Sequence, residues 1–117
     1  MEKNLTLTIE NTNEEKSYQI IKFIGELDKA GHSEIRDFLD DIVDKFSLKT
    51  LIFDFSALRF INSEGIGYVM EINNHLKAEE RSLVVIGLLP NVADVFKAIG
   101  LGDVIEVHKS LDSYLNA

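Results

Sequence analysis

Cysteine is missing from this 117-residue sequence, so neither a disulfide framework nor a thiolate metal site can hold the fold together. That lack is compatible with a reducing cytoplasm. Positive charge is scarce as well. Twelve Lys and Arg stand against twenty Asp and Glu, and the net charge of −8 is ill suited to phosphate backbones, so a protein partner is expected and nucleic acid is not. No apolar run approaches the roughly 20 residues that span a bilayer, and the opening MEKNLTLTIEN has no apolar signal-peptide core. The expected location is the cytoplasm, with no membrane insertion. Repeats, linkers and low-complexity segments are also wanting, and the length suits one domain, residues 1–117.

The motifs of catalysis and cofactor binding are equally thin. Ser63 does not sit in a G-x-S-x-G elbow, because Ile61 holds the first glycine position. His32, His75 and His108 are dispersed, form no i, i+4 metal pair, and read as surface or boundary side chains. Gly65-Ile66-Gly67 is followed by Met70 where a G-x-G-x-x-G loop needs a third glycine, and no Gly-Lys-Ser or Gly-Lys-Thr occurs. No enzyme, metal or cofactor is expected.

Periodicity supplies the architecture. Leu5, Leu7 and Ile9 alternate with threonines, predicting a strand with one face buried; 11–16 is a polar turn, and Tyr18 to Ile24 is a second strand antiparallel to the first, ended by Gly25. After the 25–31 loop, Ile35, Phe38, Leu39, Ile42, Val43 and Phe46 form a helical stripe opposite a charged face of Glu34, Arg36, Asp37, Asp40, Asp41, Asp44 and Lys45. That face reads as solvated before it reads as a docking surface. Leu51 to Phe55 predicts a central strand, 56–61 a departure from it, and Ile66, Val69, Met70 and Asn73 a second helix. Leu83 to Ile86 is apolar throughout, as in a strand covered on both faces, and Gly87 closes it. Pro90 opens a helix carrying Val92, Val95, Phe96 and Ile99 and stopped by Gly100; 104–107 is a last strand, and Ser110 caps a final helix with Leu111, Tyr114 and Leu115. Strand-helix alternation after an opening hairpin predicts an α/β fold with a mixed sheet, parallel except at one antiparallel edge. The predicted core includes Phe38, Leu39, Ile42, Phe53, Phe55, Val85 and Phe96.

Asn62, Ser63, Glu64 and Gly65 thus fall at a helix N-terminus, where unpaired N–H groups favour a capping side chain or an anion. Either Asn62 or Ser63 can serve as the cap. If Asn62 does, Ser63 is the first helical residue and its hydroxyl points outward. Gly65 and Gly67 each cost a helix up to about 1 kcal/mol relative to alanine, which implies close approach by a partner or tight packing on the sheet. Asp54 reads as a strand-end carboxylate and a candidate neighbour of Ser63.

The run FINSEGIGYVM resembles the signature of the STAS domain, and in particular of the single-domain anti-sigma factor antagonists. Asn62 stands at that family's acidic position, Ser63 at its phosphorylated serine, Glu64 at its second hydroxyl residue, and Gly65, Ile66 and Gly67 at its glycine-flanked apolar residue; the first and third depart from the pattern. Gly25-Glu26-Leu27-Asp28 is similar to the family's loop after the second strand and Ile99-Gly100-Leu101 to its late turn. The resemblance implies a STAS-like fold and a bacterial regulator of transcription, a phosphoprotein in signal transduction. Unphosphorylated, it would bind a GHKL-type serine kinase that is also an anti-sigma factor; phosphorylation at Ser63 would release it, and a PPM-type phosphatase would reverse the step. The implied contact residues are Asn62, Ser63, Glu64, Gly65, Gly67, Asp28 and Asp54, in a monomer or weak dimer. The alternative is a constitutive STAS adaptor in a signalling or transport assembly, without phosphorylation.

Overall fold

The structure, a computed structural model, describes residues 3–45 and 47–117. Five strands lie in sequence order across one sheet: β1 (Leu5–Asn13), β2 (Tyr18–Leu27), β3 (Thr50–Ile61), β4 (Ser82–Ile86) and β5 (Glu106–His108). The β1–β2 pair is antiparallel and every later pair is parallel, the arrangement that the hairpin and strand-helix alternation predict. Helix α1 (Lys29–Lys45) joins β2 to β3, α2 (Ser63–Ala78) joins β3 to β4, and α3 (Pro90–Ala98) precedes β5; α4 (Leu111–Leu115) follows it. No helix among the described residues is long and apolar enough to cross a membrane.

Because strand side chains alternate, the sheet buries two faces separately. Ile21, Phe23, Leu51, Phe53, Phe55, Leu83 and Val85 meet Ile35, Leu39 and Val43 of α1, Val69, Ile72 and Leu76 of α2, and Val92 and Phe96 of α3 in the main core. On the reverse face Tyr18, Ile20, Ile52, Val84 and Ile86 are covered by Leu111, Tyr114 and Leu115 of α4. The unbroken apolar run of β4 therefore serves both layers, as its composition predicts. Ser110 caps α4, its hydroxyl accepting from the Ser113 N–H at 3.1 Å.

Several expectations need correction. Strand β3 does not end at Phe55: 56–61 continue as strand because β2 itself runs past Gly25 to Leu27 and pairs with them, Gly25 opposite Leu58 and Leu27 opposite Ile61. Gly25, at φ +125°, lies where this register shifts, so it bends β2 instead of ending it. Strand β1 likewise extends to Asn13, leaving a tighter turn at 14–17. Ile9 is 45% exposed, since β1 is an edge strand that α1 flanks only near Leu5 and Leu7. For the same reason Phe38 is not core: the buried stripe of α1 is Gly31, Ile35, Leu39 and Val43, and Phe38, 50% exposed, faces the edge of the sheet. Ile42 is only partly buried, Ile99 is 54% exposed beyond the end of α3, and Phe46 lies outside the described residues. In α2 the buried face is Gly65, Tyr68, Val69, Ile72, Asn73 and Leu76, rotated from the predicted stripe so that Ile66 and Met70 are only half-buried.

Candidate functional site

The extra length of β2 and β3 is what builds the site. Paired to their last residues, Leu27 and Ile61, they deliver the starts of α1 and α2 to the same end of the sheet. The Asn62 N–H donates to the Leu27 carbonyl at 3.4 Å, tying the second junction to the first. Asp28 closes the start of α1, its Oδ1 accepting from the Gly31 N–H at 2.8 Å. Asp28, Lys29, Ala30, Ser33 and Asn62 line an open depression between the two helix starts.

Capping at α2 falls to Asn62. Its backbone is extended and its Oδ1 accepts from the Gly65 N–H at 3.2 Å. Ser63 is then the first residue of the helix, exposed, with its hydroxyl not spent on the cap. The reading of Ser63 as a mere cap is therefore excluded by geometry. Asn62→Ala should lower stability by roughly 1 kcal/mol in a denaturant titration while Ser63→Ala changes it little. A larger loss for Ser63→Ala would return the cap to the serine.

The two glycines separate. A Cβ on Gly65 would lie 2.3 Å from the Leu27 carbonyl oxygen and 2.9 Å from Cγ1 of Ile61, so this glycine exists to seat the first turn of α2 on the ends of β2 and β3. It is buried, which accords with the packing alternative. At Gly67 an added Cβ would meet nothing within 4 Å, and the residue is exposed on the same helix as Ser63. Gly65→Ala should cost about 1 to 3 kcal/mol through overpacking, whereas Gly67→Ala should raise stability by up to about 1 kcal/mol through helix propensity. Thermal unfolding of the two variants checks the opposite signs.

Asp54 does need correction. It sits in mid-β3 opposite Lys22 and Ile86, with its Oδ1 accepting from the Ser56 N–H at 2.9 Å. Because β3 runs on to Ile61, roughly 20 Å of strand separates it from the start of α2. It is not a neighbour of Ser63.

Two residues that the pattern does not single out lie beside this helix start. The imidazole of His32 faces Glu64, Nδ1 to Oε2 at 3.7 Å, and its ring lies 4.2 Å from that of Tyr68. Tyr68 donates its hydroxyl to Asp40 Oδ1 at 2.8 Å. Burial, then the hydrogen bond to Asp40, pushes that phenol well above its ordinary range, with Arg36 opposing the shift, so Tyr68 stays a neutral donor. No sequence spacing announces His32, since its partners come from a different helix. Among the described residues no group of three or more His, Asp or Glu is placed to hold a metal ion.

A family model described as STAS domain matches residues 10–114. An anti-sigma F factor antagonist of Lysinibacillus sphaericus is 28% identical over 83 residues, covering 71% of each chain. Among solved structures, an anti-sigma factor antagonist from Mycobacterium paratuberculosis superposes with a TM-score of 0.81 at 20% identity, covering 96% of this chain and 92% of its own. The antagonist SpoIIAA in its unphosphorylated form gives 0.75 at 23% identity, covering 95% of this chain and 94% of its own. The Bacillus cell fate determinant SpoIIAA in the phosphorylated form gives 0.69 at 22% identity, with 95% and 97% covered. At these identities the structural likenesses establish the fold.

Proposed function

The chain belongs to the STAS domain family, and on that premise we propose that it acts, as one domain over residues 1–117, as an anti-sigma factor antagonist in a partner-switching circuit. Unphosphorylated, it binds a GHKL-type serine kinase that doubles as an anti-sigma factor, and phosphorylation of Ser63 releases it; a PPM-type phosphatase reverses the modification. The observation that carries this reading is the exposed hydroxyl of Ser63 at the start of α2, left free because Asn62 is the cap. The name of the Lysinibacillus sphaericus relative supports the same role, and SpoIIAA has been solved in both phosphorylation states. The contact surface runs over Asn62, Ser63, Glu64, Gly67 and Asp28, with Gly65 shaping it from beneath.

The switch needs no refolding. A phosphate adds about −1.5 to −2 charge, which a helix N-terminus tolerates to the extent of ~0.3 to 1 kcal/mol at an exposed position. Pressed into an interface, the same group must shed its water at a cost the helix end does not offset. Capture from a lysate on the immobilised chain tests the reading: a serine kinase should be retained without ATP and eluted with it. Retention of a kinase that ATP does not release, through a chain left unmodified, would favour the constitutive adaptor.

A further inference from the structure

A chain of contacts runs from α1 to α2 and ends on the residue after Ser63. Asp40 accepts the Tyr68 hydroxyl at 2.8 Å, the Arg36 guanidinium stands 5.7 Å over the Tyr68 ring, and that ring lies 4.2 Å from His32. The Nε2 atom of His32 is sealed from solvent with no hydrogen-bond partner, so Nδ1 is the one polar edge the imidazole can use. That edge faces the Glu64 carboxylate at 3.7 Å. Arg36 in turn pairs with Asp40 and with Glu71, fixing the far end of the chain on both helices.

Glu64 is a problem for a phosphoacceptor next to it. An acidic side chain in the first turn of a helix is drawn to the unpaired N–H groups that a phosphate on Ser63 would also use. Consecutive helical residues point about 100° apart, which allows the carboxylate to be led off sideways if something on α1 holds it. We propose that His32 is a positioning residue for the Ser63 segment: clamped by Tyr68, it draws the Glu64 carboxylate onto α1 and keeps that like charge away from a phosphate on Ser63. The proposal deepens the reading of Ser63 as phosphoacceptor and rests on it.

The test installs phosphoserine at position 63 during translation, so no kinase is involved, and follows the second ionisation of the phosphate by phosphorus NMR. Charged or titratable groups about the two helix starts are Glu64 and Tyr68 from α2, and His32, Asp28 and Lys29 at the start of α1. In His32→Gln the released carboxylate should raise the phosphate midpoint by up to about 0.5 pH unit, the whole of a like-charge contact at ~6 Å in water. The double variant His32→Gln with Glu64→Gln should return it to the wild-type value or below. A merely structural role for His32 would alter stability without this cancellation. Tyr68→Phe, which keeps the ring and drops the bond to Asp40, should move the midpoint in the same direction by less, and it decides the matter if His32→Gln does not fold. Equal midpoints throughout, or a rise that persists in the double variant, would overturn the proposal. Failure of the partner kinase to modify the unphosphorylated chain would instead sink the phosphoacceptor reading and leave this titration standing.

Discussion

Replacing Phe53 by alanine should destabilise the protein by ~3 to 5 kcal/mol, the cost of lost transfer energy plus a cavity that the surroundings cannot close. Phe53 is fully buried, its ring centroid 4.7 Å from that of Phe23 and 6.0 Å from that of Phe55. It lies on the central strand, hydrogen-bonded on one side to β2 opposite Ile21 and on the other to β4 opposite Val85. Neither neighbour can move inward without breaking a ladder, so relaxation is limited. Urea unfolding measures the loss, and a change below about 1 kcal/mol would remove Phe53 from the core.

The second large effect is on binding. Ser63→Asp should weaken the complex with the partner kinase on the order of a hundredfold to a thousandfold, because a new carboxylate would be desolvated in the interface at a cost of ~3 to 4 kcal/mol. Ser63→Ala should bind as wild type does, since only a small exposed hydroxyl is lost. Calorimetry at fixed salt reads the series, because surface charge effects are screened. Equal affinities for wild type, Ser63→Ala and Ser63→Asp would put the interface elsewhere on the domain.

Local signals predicted what is local. The apolar run of β4, Pro90 at the start of α3 and the Ser110 cap each reflect a period or a backbone preference written within a few residues, and each stands where it is predicted. The start of α2 at Asn62 and Ser63 was legible for the same reason. What was not legible depends on neighbours. Residues 56–61 read as a departure because their pattern is broken by bulges, yet β2 supplies a partner for them. Phe38 has the right step for a core residue, but the sheet stops beneath it at β1. Closeness in sequence places Asp54 near Ser63, and an extended strand converts that closeness into distance. His32 reads as a boundary side chain, because its contacts are with Glu64 and Tyr68, both on another helix.

Phosphoryl transfer to one hydroxyl is the centre of this account, and intact-mass measurement reads it directly. Incubated with the partner kinase and ATP, the chain should gain the mass of a single phosphate, fragmentation should place it on Ser63, and Ser63→Ala should gain none while still binding the kinase. A chain that binds the kinase and gains no phosphate, or carries it on a residue other than Ser63, would contradict the account.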